Sequence, residues 1–159
     1  GKATHFLGLK FNWTHHDDGN ISAHLTQQAF AEQMIAAHKL QDANPALSPY
    51  RSGHPVDSVP HNKITDQERM KLAAELRSMV GSILWLSQGT RPDLSTIVSM
   101  LARYQSNPSY GHIRAAKHAI RYVLGTKDLG ITFSSKENKN MEKILLIVYM
   151  KVQEGSNIF

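Results

Sequence analysis

Between Ser78 and Thr126 the chain marks its own helix boundaries. One apolar-periodic run stops at Gly89, Thr90-Arg91-Pro92-Asp93 opens the next, Asn107-Pro108 opens a third, and Gly125 closes that one. Proline in a first turn and a left-handed glycine just past a last turn are the start and stop signals that backbone sterics favour. Thr90 can cap the second helix, with Asp93 three residues on adding a carboxylate at the positive end of the helix dipole. Upstream, Thr65-Asp66-Gln67-Glu68 is a full capping box, and Leu72, Leu76, Met79, Val80, Ile83 and Leu84 recur every three or four residues towards Gln88. The spacing therefore predicts a capped helix ending at Gly89. A second helix over 91–105 buries Leu94, Ile97, Val98, Leu101 and Tyr104, and a third over 108–124 turns Ile113, Ala116, Ile120, Val123 and Leu124 inward.

The rest of the chain is less regular. Residues 5–13 alternate, with Leu7, Leu9, Phe11 and Trp13 on one face and Gly8, Lys10 and Asn12 on the other, the period of a half-buried strand. His16-Asp17-Asp18-Gly19-Asn20 is a turn, after which Ile21, Ala23 and Leu25 resume the alternation, giving a β-hairpin. Thr26 can cap a helix from Gln27 to about Leu40, with Phe30, Met34, Ile35 and Ala37 on one side. Pro45, Pro49, Pro55 and Pro60 make 41–64 an extended linker. Leu129 to Phe133 reads as a short strand, and Ile144 to Met150 as an apolar run compatible with another. The fold class is α+β: an N-terminal β-hairpin, a mainly helical bundle of about four helices, and one or two short C-terminal strands. The expected segments are 1–40, hairpin plus first helix; 41–64, linker; 65–135, helical region; and 136–159, tail.

Composition narrows the chemistry. A chain of 159 residues makes one domain or a little more, and its opening Gly in place of Met suggests a piece of something longer. Without cysteine there is no disulfide framework, thiol nucleophile or zinc–thiolate site, which fits an intracellular protein. No apolar run approaches the ~20 residues of a membrane span, so no membrane partner is expected. Residues 1–90 balance eight Lys/Arg against eight Asp/Glu, whereas 91–159 hold ten against five, which supplies the whole net charge of +5. A basic half can attract a polyanion, or can simply be a soluble surface.

The motif search yields few catalytic arrangements. Asp17-Asp18, following His15-His16, reads as polar turn filler, with a two-His, two-Asp metal site as the alternative. The nine histidines form no His-x-x-x-His pair, and His112 reads as a structural hydrogen-bond partner beside the Asn107-Pro108 helix start. No phosphate loop or nucleophile elbow is present, so no catalytic residue, resident metal or cofactor is assigned. Arg114, Lys117 and Arg121, at spacings of three and four, form one stripe opposite Ile113, Ala116 and Ile120, with His118 flanking it and Tyr122 beside it. Such a stripe can track phosphates without reading bases, or be a solvated helix face. Arg91 reads as a junction residue bonding carbonyls or Asp93.

A string of short blocks resembles the downstream part of the reverse transcriptase of copia-type retrotransposons. They are Val80-Gly81-Ser82-Ile83-Leu84-Trp85-Leu86, Gly89-Thr90-Arg91-Pro92-Asp93, Ala102-Arg103-Tyr104, Asn107-Pro108-Ser109, His112, Ala115-Ala116-Lys117 and Tyr122-Val123-Leu124-Gly125-Thr126. With Phe6-Leu7-Gly8-Leu9-Lys10-Phe11 before and Leu129-Gly130-Ile131 after, the likeness runs from His5 to roughly Ser135. It implies that Phe6, Leu7 and Gly8 lie in a primer-grip-like hairpin near a primer terminus; an ordinary half-buried hairpin is the plain alternative. It also implies a thumb-like bundle in which Arg114, Lys117 and Arg121 meet an RNA–DNA or DNA duplex, weakly and electrostatically. The parent would be an RNA-directed DNA polymerase with ribonuclease H, using Mg and acting in cytoplasm or nucleus. Its metal-binding aspartates would lie before residue 1 and its ribonuclease H after about Ser135, so palm and ribonuclease H parts become expected partners and the chain alone is expected to be inactive. The 136–159 tail does not resemble the start of that ribonuclease H. The competing readings are a helical docking module and a non-functional retroelement remnant.

Overall fold

The computed structural model describes residues 5, 6, 8–51, 56, 64–137, 140, 143 and 150. Among them two compact units are distinguished, one from the described residues of 1–28 and 128–159 and the other from those of 29–127. The fold is α+β.

The first unit is an antiparallel sheet in the order β1-β2-β3-β4, with β1 His5–Phe6, β2 Leu9–His15, β3 Ile21–Thr26 and β4 Gly130–Ser134. The β2–β3 hairpin turns where expected, at His16 to Asn20. There the His16 N–H donates to the Asn20 carbonyl at 2.9 Å, and the Asn20 N–H to Asp18 Oδ1 at 3.1 Å. Register sets Phe11 opposite Leu25, and Ala23 between Trp13 and Phe133, so one face is apolar. The other is polar, and across it His24 Nδ1 and Thr132 Oγ1 lie 2.8 Å apart. Ser135, in a short 3-10 turn, closes the sheet: its Oγ accepts the Ile21 N–H at 2.9 Å and donates to Asn20 Oδ1 at 3.2 Å.

Residues 5–13 are not one strand. The chain reverses between Phe6 and Leu9, which face each other across β1–β2, with Gly8 in the turn at φ 77°. That conformation is open to glycine and strained for other residues. The strand expected over 144–150 lies outside the described residues save Met150, which is helical.

The second unit is built round α2, Asp66–Gly89, with α1 Gln28–Ala37, α3 Ser95–Ala102 and α4 Tyr110–Gly125. The Thr65 capping box is present in full, the Glu68 N–H donating to Thr65 Oγ1 at 3.2 Å and the Thr65 N–H to Glu68 Oε2 at 2.9 Å. Leu76, Met79 and Ile83 of α2, Ile97 and Leu101 of α3, and Ile120 and Val123 of α4 are wholly buried in one cluster with Met34 and Ile35 of α1. Each such side chain contributes ~1.5–3 kcal/mol relative to exposure.

Several helix boundaries differ from expectation, each for a local reason. Gly89 is the last residue of α2, because the Thr90 N–H still reaches the Leu86 carbonyl at 3.1 Å. Gly125 likewise ends α4 inside the helix, and neither glycine is left-handed. Thr90 closes α2 rather than capping α3, which starts at Ser95 behind a 3-10 turn over Pro92–Leu94. α3 stops at Ala102, short of 105, where Tyr104 stacks on His112. α1 stops at Ala37, with Lys39 left-handed at φ 56° and the Leu40 N–H donating back to the Ile35 carbonyl. Leu84, expected on the apolar face, is exposed, and Leu86 is buried in its place.

Candidate nucleic-acid interface

The rigidity of α4 begins at Arg91, which is 3% exposed although charged. Its Nε and Nη2 grip Asp93 at 3.1 and 2.8 Å, while Nη1 donates to the Thr126 carbonyl and Nη2 to Thr126 Oγ1, both at 2.8 Å. The guanidinium lies over the Tyr122 ring, 5.4 Å from its centroid, and the Tyr122 hydroxyl donates to Asp93 Oδ2 at 2.9 Å. Burial pushes the Asp93 carboxyl up, but the hydrogen bonds and charge of Arg91, with help from Tyr122, outweigh it and hold Asp93 below its ordinary 3.8. Burial first, then Asp93, pushes Tyr122 above its ordinary 10.0. Arg91 is the junction residue expected from sequence, bonding both a carbonyl and Asp93. Tyr122 belongs to this knot and not beside the α4 stripe.

A second knot fixes the other end of α4. Ser109 is its N-cap, and its N–H donates to His112 Nδ1 at 2.9 Å, so imidazole takes the place that glutamate holds in the usual capping box. His112 is 1% exposed and stacks on Tyr104 at 4.1 Å. The Arg69 side chain of α2 donates to Asn107 Oδ1. The sequence blocks at 89–93, 102–104, 107–112 and 122–126 thus each supply residues that make contacts within one helical scaffold.

On that scaffold the three stripe residues have different surroundings. Arg114 is exposed and has no carboxylate partner among the described residues. Lys117 Nζ lies 3.0 Å from Glu75 Oε1 with both side chains about two-fifths exposed, at 41% and 40%. Arg121 is half-buried under the start of the proline-rich segment: its Nε donates to the Asn44 carbonyl, and the Ala46 N–H donates to its carbonyl at 3.1 Å. Pro45 lies so near Gly125 that a Cβ there would stand 2.9 Å from the proline Cβ. Glycine at 125 therefore serves close packing, not a left-handed cap. The cover that Asn44 and Ala46 give to Arg121 carried no periodic signal in the sequence, because that segment is not regular structure.

The hairpin candidates are placed only in part. Phe6 is in β1 and Gly8 in the turn, whereas Leu7 lies outside the described residues. Asp17 and Asp18 are exposed in the β2–β3 turn, and the Asn20 backbone N–H, then its side chain, holds Asp18 below its ordinary 3.8. No group of three or more His, Cys, Asp or Glu suited to a metal occurs among the described residues.

Comparison with known proteins gives a consistent set of relatives. The chain is 33% identical over 115 residues, 72% of its length, to a retrovirus-related Pol polyprotein from transposon RE2 of Arabidopsis thaliana, and covers 7% of it. It is 28% identical over 127 residues, 79% of its length, to a retrovirus-related Pol polyprotein from transposon TNT 1-94 of Nicotiana tabacum, and covers 9% of that one. A Saccharomyces cerevisiae protein named for transposon Ty5-1 is 24% identical over 156 residues, and the chain covers 46% of it. The chain thus spans a small part of the Pol polyproteins it matches and about half of the yeast relative. No family model matches it, and no solved structure does.

Proposed function

Because the chain belongs to the Pol polyproteins of copia-type retrotransposons, we propose that it is the part of the polymerase region that lies against the primer–template duplex and sets its position. The observation that carries this reading is the composition of α4, which holds three Lys/Arg and no carboxylate on a helix fixed at both ends. Cations spaced three and four apart on a rigid helix can follow a phosphate backbone without reading bases. Arg114 is available as it stands. The Lys117–Glu75 pair is solvent-exposed and worth only ~0–1 kcal/mol, so a phosphate can take Lys117 over at little cost. Arg121 keeps its terminal nitrogens for phosphate while its Nε holds Asn44. Phe6, Leu7 and Gly8 are assigned, by the same reading, to the neighbourhood of the primer terminus.

Nucleotide addition and hybrid-strand cleavage, with the magnesium they require, belong in this reading to other parts of an intracellular RNA-directed DNA polymerase with ribonuclease H. With about three phosphates engaged, the logarithm of affinity should fall with the logarithm of salt at a slope of about −2 to −3. Fluorescence anisotropy with an RNA–DNA hybrid at low salt tests the assignment. Arg114→Glu with Lys117→Glu should weaken binding by about tenfold or more; unchanged affinity would make this face ordinary surface.

A second reading, docking on another protein part, is favoured by Trp85 and Leu84, which are 53% and 39% exposed on α2. Sedimentation of the chain separates the two: self-association supports exposed docking surface, and a clean monomer speaks against it.

A further inference from the structure

β4 is the outer strand of its sheet. It pairs with β3 on one side, and among the described residues no strand lies on the other. The opposite rim, β1, is only two residues long, and brevity is one of the devices by which sheets keep their rims from pairing. β4 has none of those devices. Its five residues, Gly130-Ile131-Thr132-Phe133-Ser134, include no charge and no proline, and its register with β3 runs without a bulge. Strand alternation puts Ile131 and Phe133 on the apolar face beside Leu25 and Ala23. Phe133 and the adjoining Leu129 are 36% and 46% exposed.

A rim of unpaired backbone groups beside exposed apolar side chains can take an added strand. The residues of this rim select which strand. When β4 is laid antiparallel on a second β4 with Thr132 on the twofold axis, Thr132 faces its own counterpart, Ile131 faces Phe133 and Gly130 faces Ser134. Apolar side chains then meet on one face and hydroxyls on the other. Counted onward, the same register brings Asp128 across from Lys136 at both ends. Both are exposed, and neither has an ion-pair partner among the described residues. Parallel pairing in register would instead set each charge beside its own copy. We propose that β4 is the contact surface for a second copy of this chain, joined antiparallel about Thr132 into one continuous sheet.

The pairing uses the same patch on both copies, so it closes at two and leaves only the short β1 strands at the rims. The strand begins at Gly130, and the chain enters a 3-10 turn at Ser135, so Asp128 and Lys136 meet as neighbours at the ends of the ladder rather than as members of it. Five paired residues make a small interface, which makes the dimer weak and dependent on concentration. Opposite charges at its two ends fix the register, since a shift by two residues separates them. Neither the duplex reading nor the docking reading of α2 enters this inference.

Sedimentation equilibrium of the whole chain over a wide range of concentrations tests it. The chain should pass from monomer to dimer and no further. Thr132→Lys sets like charges against each other on the axis, at a position exposed in the single chain, and should weaken the dimer roughly tenfold. Asp128→Lys and Lys136→Asp should each weaken it several-fold, and the two together should restore it, because the swap rebuilds both ion pairs. Neither of those positions lies in the strand, so the sheet keeps its residues in all three variants. Trp85→Ala, on the exposed side of α2, should leave the dimer unchanged. A chain that stays monomeric at every concentration, or assembly beyond two copies, overturns the pairing. So does a dimer indifferent to Thr132→Lys, or single charge reversals that the double variant fails to repair. Loss of the dimer in Trp85→Ala, with the β4 variants still dimeric, overturns it too and moves the contact to α2.

Discussion

Arg91 is the residue on which the helical unit most depends, since one buried guanidinium serves Asp93, the Thr126 carbonyl and hydroxyl, and the Tyr122 ring at once. Truncating it strands those partners. Arg91→Ala should cost about 3 kcal/mol in chemical denaturation, the low end for a broken buried pair because Asp93 is partly solvated. Arg91→Lys should recover little, since an ammonium cannot reproduce the fork. The sign of the pH dependence follows from the lowered Asp93 carboxyl. Its contribution is complete above the ordinary 3.8 and is lost as pH falls through the lower folded value. Asp93→Asn should flatten that part of the acid limb, and an acid limb identical to that of the parent chain would contradict this role. Sequence showed Arg91 at a junction because Pro92 and Asp93 frame it locally. Tyr122 and Thr126, about thirty residues on, became its partners only through packing, and periodicity carries no record of packing. Lys117 is a similar case: its spacing was plain, whereas its engagement with Glu75 on another helix was not.

At the scale of elements, legibility tracked how local the determining signal was. α2 was predicted from its capping box and apolar spacing because both lie within the helix. The reversal before Leu9 was hidden because an apolar residue at position 7 continues the alternation in the sequence, whereas the turn uses a left-handed Gly8. The glycines past the runs were read as left-handed caps. Gly125 instead answers to Pro45, which is distant in sequence. β4 was recognised as a strand, but its partner β3 lies a hundred residues earlier and could be assigned only from the fold. That pairing rests on Gly130, where a Cβ would stand 1.9 Å from the Leu25 carbonyl oxygen. Gly130→Ala should therefore open the β3–β4 edge. Amide exchange at the paired positions should accelerate there, with α2 unchanged; protection equal to that of the parent chain would count against this packing.

For the molecule as a whole, the positive excess lies after residue 90, and α4 carries the part of it that the structure makes rigid. The sheet unit contributes a β-hairpin and the helical unit a basic helix tied at both ends. The resemblance was legible in blocks that supply residues such as Arg91, Asp93, Tyr104, His112, Tyr122 and Thr126, which contact one another across the helical unit. The phosphate-facing surface was less legible, since a charge stripe looks the same in sequence whether its members are exposed, paired or covered by a loop. Where a duplex touches the chain decides whether α4 is its binding face. A backbone chemical-shift map recorded with and without a short RNA–DNA hybrid at low salt gives that directly. The largest changes should fall on α4 from Arg114 to Arg121 and on the adjoining loop at 44–51. A map with no changes, or with changes confined to the β2–β3 turn and the exposed side of α2, would contradict it.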